Sequence, residues 1–212
     1  MQVSDLTFRL KVFIMGFLFP LFVLLGLLLS APFWLVSKAP YQKSDLAVLE
    51  VGSSFPTKKY LKSVVNLSQK GDFKKLMLVV REDKAENLIL SPKEKKEKIL
   101  STLINFGFSS ENLRAIAIPY SKMGDTEEAS KNLLKIAVSE NVNSILLLTQ
   151  EFESKRILGI YKKTLASLPV KVSAHVFPSQ FTPSNWFLSD DGLTEVGIEF
   201  FRYLFAYIRG IL

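Results

Sequence analysis

The densest group of polar side chains in this sequence lies at residues 149–156, directly after an apolar stretch. Thr149, Glu153 and Arg156 could place a hydroxyl, a carboxylate and a guanidinium around one pocket. A guanidinium can hold a phosphate or a carboxylate through two parallel hydrogen bonds. The segment therefore predicts an anion-binding site in which Arg156 neutralises the ligand. The alternative is an exposed helix start, in which Glu151 and Glu153 complement the helix dipole.

A second segment with anion-binding chemistry follows an earlier apolar stretch. Gly52, Ser53 and Ser54 precede a predicted helix, and Lys58 and Lys59 come one turn later. Free backbone N–H groups at a helix start attract anions, and lysines add positive charge. A plain turn followed by a helix N-cap explains the same residues. The glycine spacing of a phosphate-binding loop or of a dinucleotide-binding fingerprint is absent.

Asp125 and Thr126 form a third candidate, because they open a predicted helix directly after a predicted strand. Helix capping accounts for both residues, and a ligand role rests on their position at the strand end. His175 is the only histidine of the chain, and a metal site or catalytic triad would need partners that the sequence does not identify. A structural role is the favoured interpretation for it.

The sequence assigns no catalytic residue and no cofactor. The absence of cysteine excludes a disulfide scaffold, a thiol nucleophile and cysteine-based metal sites. No zinc-protease, nucleophile-elbow or calcium-loop motif occurs, so a metal site is not predicted either. Whether the protein is an enzyme stays open.

The elements that must position these residues alternate between strands and helices. Short apolar stretches predict five strands, and three of them (46–51 apart from Glu50, 76–80 and 145–148) are nearly continuous, as suits a sheet that is covered on both faces. The last stretch alternates apolar and polar residues, which is typical of an edge strand. We therefore predict a three-layer, doubly wound, Rossmann-like α/β fold with a mostly parallel sheet of about five strands. The predicted strands are residues 46–51, 76–80, 113–118, 145–148 and 170–176.

Helix signals separate the predicted strands. Ser91 and Glu94 predict a capping box, and Gly107 is placed as the residue that ends that helix. Between them, Ile99, Leu100, Leu103 and Ile104 are predicted as its buried stripe. Other boundaries are placed at Pro56 and Gly71 for the first helix of the domain, at Asp125 as an N-cap, and at Ser189 as the cap of the last helix.

An uncharged apolar stretch over residues 12–36 precedes the α/β region. As a helix it would reach about 37 Å, which is enough to cross a hydrocarbon core of about 30 Å. It is longer than the apolar core of a signal peptide, and Pro32 follows the only small-residue cleavage candidate. We predict a transmembrane anchor after a short tail (residues 1–11), followed by a linker (37–44) and one domain (45–212). Lysines and arginines balance on the two sides, so charge does not set the orientation.

The formal net charge of +7 suits an anionic small molecule, a lipid-linked ligand or a bilayer surface as partner. Nucleic acid is not predicted, because the lysines are dispersed and no nucleic-acid motif occurs. The aromatic tail, residues 200–212, predicts either core packing of a last helix or a helix end that lies on the bilayer.

Three segments together resemble the YdcF/SanA/ElyC-like bacterial proteins, which carry domain of unknown function 218. The segment from Ser121 to Thr126 is similar to the family's motif after the third strand, with Asp125 in place of an asparagine. The spacing from Thr149 to Arg156 is similar to the motif after the fourth strand. The third similarity is Trp186 with the later Gly-Leu-Thr-Glu of residues 192–195. The resemblance covers roughly residues 45–210 and includes the N-terminal anchor.

The resemblance implies a bacterial envelope protein whose domain lies on the outer side of the cytoplasmic membrane and takes part in lipid-carrier-linked polymer assembly. The chain departs from the family at three places: residues 52–54 and 81–83 replace glycine-rich turns, and Glu153 replaces a histidine. Without those glycines the backbone approaches a ligand less closely, and without the histidine the group best suited to proton transfer near neutrality is lost. We therefore expect a changed ligand or a degenerate, non-catalytic site.

Overall fold

The computed structural model describes residues 2–51, 56–82, 91–119 and 124–212, and a five-stranded, all-parallel sheet lies at its centre. The strand order is β3-β2-β1-β4-β5. The Rossmann-like α/β fold predicted from the sequence is confirmed, as is the edge position of the last strand. The strands are β1 (Ser44–Val51), β2 (Phe73–Arg81), β3 (Leu113–Ile118), β4 (Ser144–Gln150) and β5 (Lys171–Phe177).

Helices cover both faces of the sheet. Along β1, Ala47 and Leu49 point to one helical layer, whereas Leu46 and Val48 point to the other. This alternation follows from the two-residue period of a strand. The layer behind Leu49 is formed by α3 (Lys58–Gln69) and α4 (Pro92–Asn105), and the opposite layer by α5 (Asp125–Ser139) and α6 (Ser154–Thr164).

The strand order creates a switch point between β1 and β4. From β1 the chain winds through β2 to β3 on one side of the sheet, and it then returns to β4 and β5 on the other side. Ligands of open α/β sheets bind where such a reversal opens a crevice at the carboxyl ends of the strands. The carboxyl ends of β1 and β4 are therefore the place to look for a site.

Two of the predicted helix boundaries are confirmed in atomic detail. The hydroxyl of Ser91 accepts a hydrogen bond from the Glu94 backbone N–H at 3.2 Å, and the Glu94 carboxylate accepts from the Ser91 N–H at 2.7 Å. This is the predicted capping box. Gly107 has a φ of +97°, the left-handed region in which glycine is favoured after a helix.

The structure corrects three other local predictions. The helix α3 begins at Lys58 and not at Pro56, and Thr57 caps it, because its hydroxyl accepts from the Tyr60 N–H at 3.2 Å. Gly124 is the N-cap residue of α5 at a φ of +123°, so Asp125 is the first helical residue and carries no cap hydrogen bond. Ile104 is exposed at the end of α4, where the buried face has already turned away from it.

The N-terminal helix, Thr7–Trp34, is 28 residues long and is long and apolar enough to span a membrane. It comprises the end of α1 (Gln2–Phe13), a π-helical segment (Ile14–Leu18) and α2 (Phe19–Trp34). The π-helical segment stands directly before Pro20, whose ring cannot fit a regular α-helical ladder. The helix ends two residues before the predicted boundary. We call Thr7–Trp34 the anchor helix.

The last turns of the anchor helix pack on the domain at the carboxyl edge of the sheet. Ala31 and Leu35 are fully buried, and they cluster with Phe152, Trp186 and Phe200. The last of these belongs to α7 (Asp190–Ile208), which lies outside the two layers that sandwich the sheet. The anchor helix is thus fixed to the end of the domain at which the strands finish.

Two hydrogen bonds hold the chain at this junction. The backbone N–H of Lys155 donates to the carbonyl of Leu35 at 3.2 Å, and the N–H of Ser37 donates to the buried hydroxyl of Ser154 at 2.8 Å. The linker then runs to the opposite edge of the sheet, where β1 begins at Ser44.

Candidate functional site

A buried polar cluster lies at the carboxyl ends of the two central strands. Glu50 in β1 and Thr149 in β4 directly follow the paired residues Leu49 and Leu148, so they lie side by side. Both point to the layer of α5 and α6, since they continue the face of Val48 and not that of Leu49. The strands thus place a carboxyl and a hydroxyl next to the switch point.

Arg156 extends over this position from α6. Its Nε and Nη2 donate to Oε2 and Oε1 of Glu199 at 2.8 and 3.0 Å, and its Nη1 donates to the hydroxyl of Thr126 at 3.2 Å. Arg202 donates to the same Glu199 carboxylate at 2.9 Å. Although burial opposes its charge, the facing Glu199 carboxylate keeps the pKa of Arg156 above its ordinary value. Arg156 is therefore a charged residue whose partner is already present within the protein.

Glu50 is a second carboxyl of the cluster. Burial raises its pKa, whereas the nearby Tyr161 hydroxyl, Arg156 and the Thr126 hydroxyl act in the opposite direction. Its Oε2 accepts from the Thr126 hydroxyl at 3.1 Å. Within the described part of the chain, Oε1 of Glu50 and the hydroxyls of Thr149 and Tyr161 are buried without a hydrogen bond of good geometry. The Tyr161 hydroxyl and the Glu50 carboxyl interact with each other, since burial and Glu50 raise the pKa of Tyr161 while the hydroxyl lowers that of Glu50. Buried polar atoms are usually paired, so the Thr149 hydroxyl is the atom of this cluster that the described residues leave without a partner.

Glu153, at the start of α6, is the carboxyl of the cluster with proton-transfer properties. Its Oε1 accepts from the Gln150 N–H at 3.1 Å. Burial raises its pKa to about 7, with a smaller contribution from Glu199, while the Gln150 N–H and Arg156 lower it. A carboxyl with a pKa near neutrality is suited to accept or donate a proton at neutral pH.

Asp125 takes a different role from the one predicted. Its carboxylate accepts a hydrogen bond from Arg81 Nη1 at 2.7 Å, which joins the end of β2 to the first turn of α5. The pair therefore joins these two elements through charges that complement each other.

The expectation of an exposed helix start at residues 149–156 is wrong. Phe152 and Ser154 are fully buried, and the Lys155 N–H is already used by the Leu35 carbonyl of the anchor segment. The start of α3 is different. Lys58 and Lys59 are exposed there, whereas the N-cap residue of α6 is the acidic Glu153. Of the two helix starts that flank the switch point, α3 thus favours an anion more than α6 does.

The structure brings four of the predicted site residues together and leaves others apart. Thr126, Thr149, Glu153 and Arg156 belong to one cluster, and Asp125 lies at its margin. Gly52, Ser53 and Ser54 lie outside the described residues. The members that sequence reasoning missed are Glu50, Tyr161 and Glu199. A single acidic residue in an otherwise apolar stretch was the available signal for Glu50 and for Glu199.

His175 lies away from this cluster, in the edge strand β5. Its ring packs between Tyr41 and Phe177, with centroid separations of 4.8 and 4.7 Å. Burial lowers its pKa, which favours the neutral ring. These contacts agree with a structural role. Within the described ranges, no group of three or more His, Cys, Asp or Glu side chains is arranged to hold a metal ion.

The fold and the site define a class of protein: a Rossmann-like α/β domain fixed, at the carboxyl edge of its sheet, to one helix that is long and apolar enough to span a membrane. No protein-family model and no curated protein matches the sequence. The resemblance to the YdcF-like proteins therefore stays a prediction.

Proposed function

We propose that this protein is a membrane-anchored factor of bacterial envelope biogenesis that binds an anionic ligand at the carboxyl ends of β1 and β4. The ligand carries a phosphate or is linked to a lipid carrier. The domain lies on the outer side of the cytoplasmic membrane, in keeping with the resemblance to the YdcF-like proteins. The observation that carries this proposal is the attachment of the anchor helix to the same edge of the sheet as the polar cluster.

The attachment of the anchor helix supports a site close to the bilayer. From Thr7 to Leu27 the anchor helix is exposed apart from the partly buried Leu18, while Leu35 is buried beside the start of α6. Leu35 lies eight positions after Leu27, which is about 12 Å at the rise of a helix. A ligand whose head group lies at the membrane surface would therefore reach the switch point without leaving the bilayer.

The unpaired Thr149 hydroxyl supports a ligand with hydrogen-bonding groups. The buried Thr149 hydroxyl has no partner among the described residues and can donate or accept a hydrogen bond. A phosphate oxygen or a sugar hydroxyl can satisfy it. Lys58 and Lys59 at the start of α3 provide the positive charge.

The role of Arg156 in this proposal differs from the one expected from the sequence. Two of its hydrogen bonds go to Glu199 and one to Thr126, so its charge is neutralised within the protein. Arg156 then acts as a positioning residue that holds Thr126 against Glu50. The ligand is contacted by Thr149 and by the α3 lysines.

The test is a thermal-shift screen of the full chain in nanodiscs against a polyprenyl phosphate, sugar nucleotides, other nucleotides and inorganic phosphate. A ligand at a hundredfold excess over its dissociation constant stabilises the folded protein by about 2.7 kcal/mol. Thr149→Val removes the unpaired hydroxyl and keeps the shape of the side chain. We expect this variant to fold at least as well as wild type and to lose the ligand-dependent shift.

Thr102→Val is the matched control, because Thr102 is a partly buried threonine of α4, in the other helical layer, whose hydroxyl donates to the Lys98 carbonyl of its own helix. It should keep the shift. A lipid-borne phosphate is identified as the ligand if the polyprenyl phosphate raises the unfolding temperature and inorganic phosphate does not. A shift that Thr149→Val retains would contradict the proposed site.

A second candidate is a non-catalytic, membrane-tethered interaction module of the same fold. It is favoured by the contacts at the start of α6, where groups that could bind a ligand already have partners within the protein. The Lys155 N–H donates to the Leu35 carbonyl, and Arg156 donates to Glu199. The same screen distinguishes the two candidates. The absence of a shift with every ligand, in a well-folded wild-type protein, would favour the interaction module.

A further inference from the structure

The outward face of α7 is apolar although it does not face the domain. Ile198, Phe201, Phe205 and Ile208 recur at intervals of three and four residues, which places them on one side of the helix. Their exposed fractions are 45, 54, 59 and 72%. On a helix of a domain surrounded by water, this side would carry polar residues. We call these four residues the α7 stripe.

The α7 stripe lies next to the anchor helix. The neighbouring side of α7 packs on the end of the anchor helix, where the Trp34 ring lies 5.8 Å from Phe200 and 5.3 Å from Tyr203 between ring centroids. Leu204, between that side and the stripe, is partly buried against the same cluster. The apolar surface of the anchor helix therefore continues onto α7 without a polar boundary.

Aromatic and basic side chains border this surface. Tryptophan and tyrosine are enriched where a protein crosses the membrane–water interface. Arg202 and Arg209 lie seven residues apart on one flank of the stripe, and their side chains pair with Glu199 and Glu127. A helix with an apolar face and arginines along its flank is typical of helices that lie in the membrane interface.

We propose that α7 lies in the interface of the bilayer that the anchor helix spans, with the α7 stripe directed to the acyl chains. A bilayer is the occupant, and not a second copy of the chain, because the stripe continues the apolar surface of the anchor helix. The opposite side of α7 carries Glu199, the partner of Arg156. A position of α7 in the membrane interface would therefore hold the polar cluster at the membrane surface. The inference depends on the anchor helix and is independent of the ligand.

The chain contains no cysteine, so single cysteines can be introduced and labelled without background. The full-length variants Ile198→Cys and Phe205→Cys are labelled with a fluorophore at the new cysteine. They are then reconstituted into vesicles of phosphatidylethanolamine and phosphatidylglycerol. Ile104→Cys and Val138→Cys are the matched controls, since they are exposed at 45 and 58% near the opposite edge of the sheet. Each label is quenched in turn by a nitroxide lipid and by aqueous iodide.

We expect the nitroxide lipid to quench the α7 labels several-fold more strongly than the control labels, and iodide to show the reverse order. Equal access of iodide to the labels at residues 198 and 104 would overturn the proposal. Labels on α7 that are shielded from both quenchers, and that respond to the protein-to-lipid ratio, would also overturn it in favour of contact between copies. Loss of ligand binding would leave these signals unchanged.

Discussion

Arg156 and Glu199 form a two-point ion pair inside the protein, with N···O distances of 2.8 and 3.0 Å, although 43 residues separate them in the chain. The pair joins α6 to α7, and through Arg156 it reaches the Thr126 hydroxyl and Glu50. It connects the helix that we place at the membrane interface with the polar cluster at the switch point.

Removing only one partner of this ion pair should lower the free energy of unfolding strongly. Arg156→Met leaves the Glu199 carboxylate buried without its main partner, and Glu199→Leu does the same to the guanidinium. We expect each single variant to lose about 3–5 kcal/mol in free energy of unfolding. The double variant should lose clearly less than the sum, because neither charge then remains buried alone. Urea unfolding of all four proteins in the same detergent measures this difference.

The exposed pair of Arg114 and Glu140 is the control for that cycle. Water and salt screen such a pair, so Arg114→Met should change the free energy of unfolding by less than about 1 kcal/mol. Strictly additive effects of Arg156→Met and Glu199→Leu would contradict the pairing described above.

Glu153 should make stability depend on pH in a defined window. Its pKa is about 7 in the folded protein, against an ordinary value of 4.5. A raised carboxyl pKa means that the folded state holds the proton more tightly. The contribution to stability is therefore fully present below pH 4.5 and is lost as the pH rises through 7. The difference of 2.5 pKa units corresponds to about 3 kcal/mol.

Glu153→Gln keeps an oxygen acceptor for the Gln150 N–H and removes the titration. We expect the free energy of unfolding of this variant to rise relative to that of wild type between pH 5 and pH 8, by an amount that approaches about 3 kcal/mol. Chemical unfolding at several pH values gives the comparison. A wild-type and a variant protein whose free energies of unfolding change in parallel over this range would show that Glu153 does not titrate there.

Local features of the sequence were sufficient to predict the fold, whereas predicting the site would have required knowing which distant residues contact each other. The boundaries of β3, the capping box at Ser91 and the edge position of β5 follow from patterns within a few residues. The pairing of Arg156 with Glu199 does not, because nothing local marks two residues 43 positions apart as partners. For the same reason an arginine at a strand end predicted a ligand contact, whereas the structure supplies its partner from α7.

Gly192 and Gly197 stand in the same helix and should respond to alanine in opposite ways. A Cβ at Gly192 would lie 2.1 Å from the Trp186 carbonyl oxygen, whereas a Cβ at Gly197 meets nothing within 4 Å. We expect Gly192→Ala to lose roughly 3 kcal/mol, because backbone must move to relieve the clash. Gly197→Ala should gain up to about 1 kcal/mol from helix propensity.

Thermal unfolding of the two proteins with tryptophan fluorescence provides the test, since Trp186 is fully buried beside the substituted position. Equal stability of the two variants would mean that α7 does not approach Trp186 as closely as described.

The attachment of the anchor helix to the carboxyl edge can be weakened without altering the anchor itself. Leu35 is fully buried against Phe152 and Trp186, whereas Leu25 is exposed on the apolar part of the anchor helix that does not contact the domain. Leu35→Ala should cost about 2–5 kcal/mol through the cavity that it leaves, and Leu25→Ala should leave the free energy of unfolding of the domain unchanged.

Hydrogen exchange links this loss to the site, because the Leu35 carbonyl accepts the hydrogen bond of the Lys155 N–H at the start of α6. In Leu35→Ala the Lys155 amide should exchange faster than in wild type, whereas amides of the central strand β1 keep their protection as long as the domain stays folded. If ligand binding by the α/β domain requires the bilayer to lie at the carboxyl edge, the same variant should bind a lipid-borne phosphate more weakly and a soluble one with unchanged affinity. Unchanged exchange of Lys155 would show that the anchor and the polar site are joined by the chain alone.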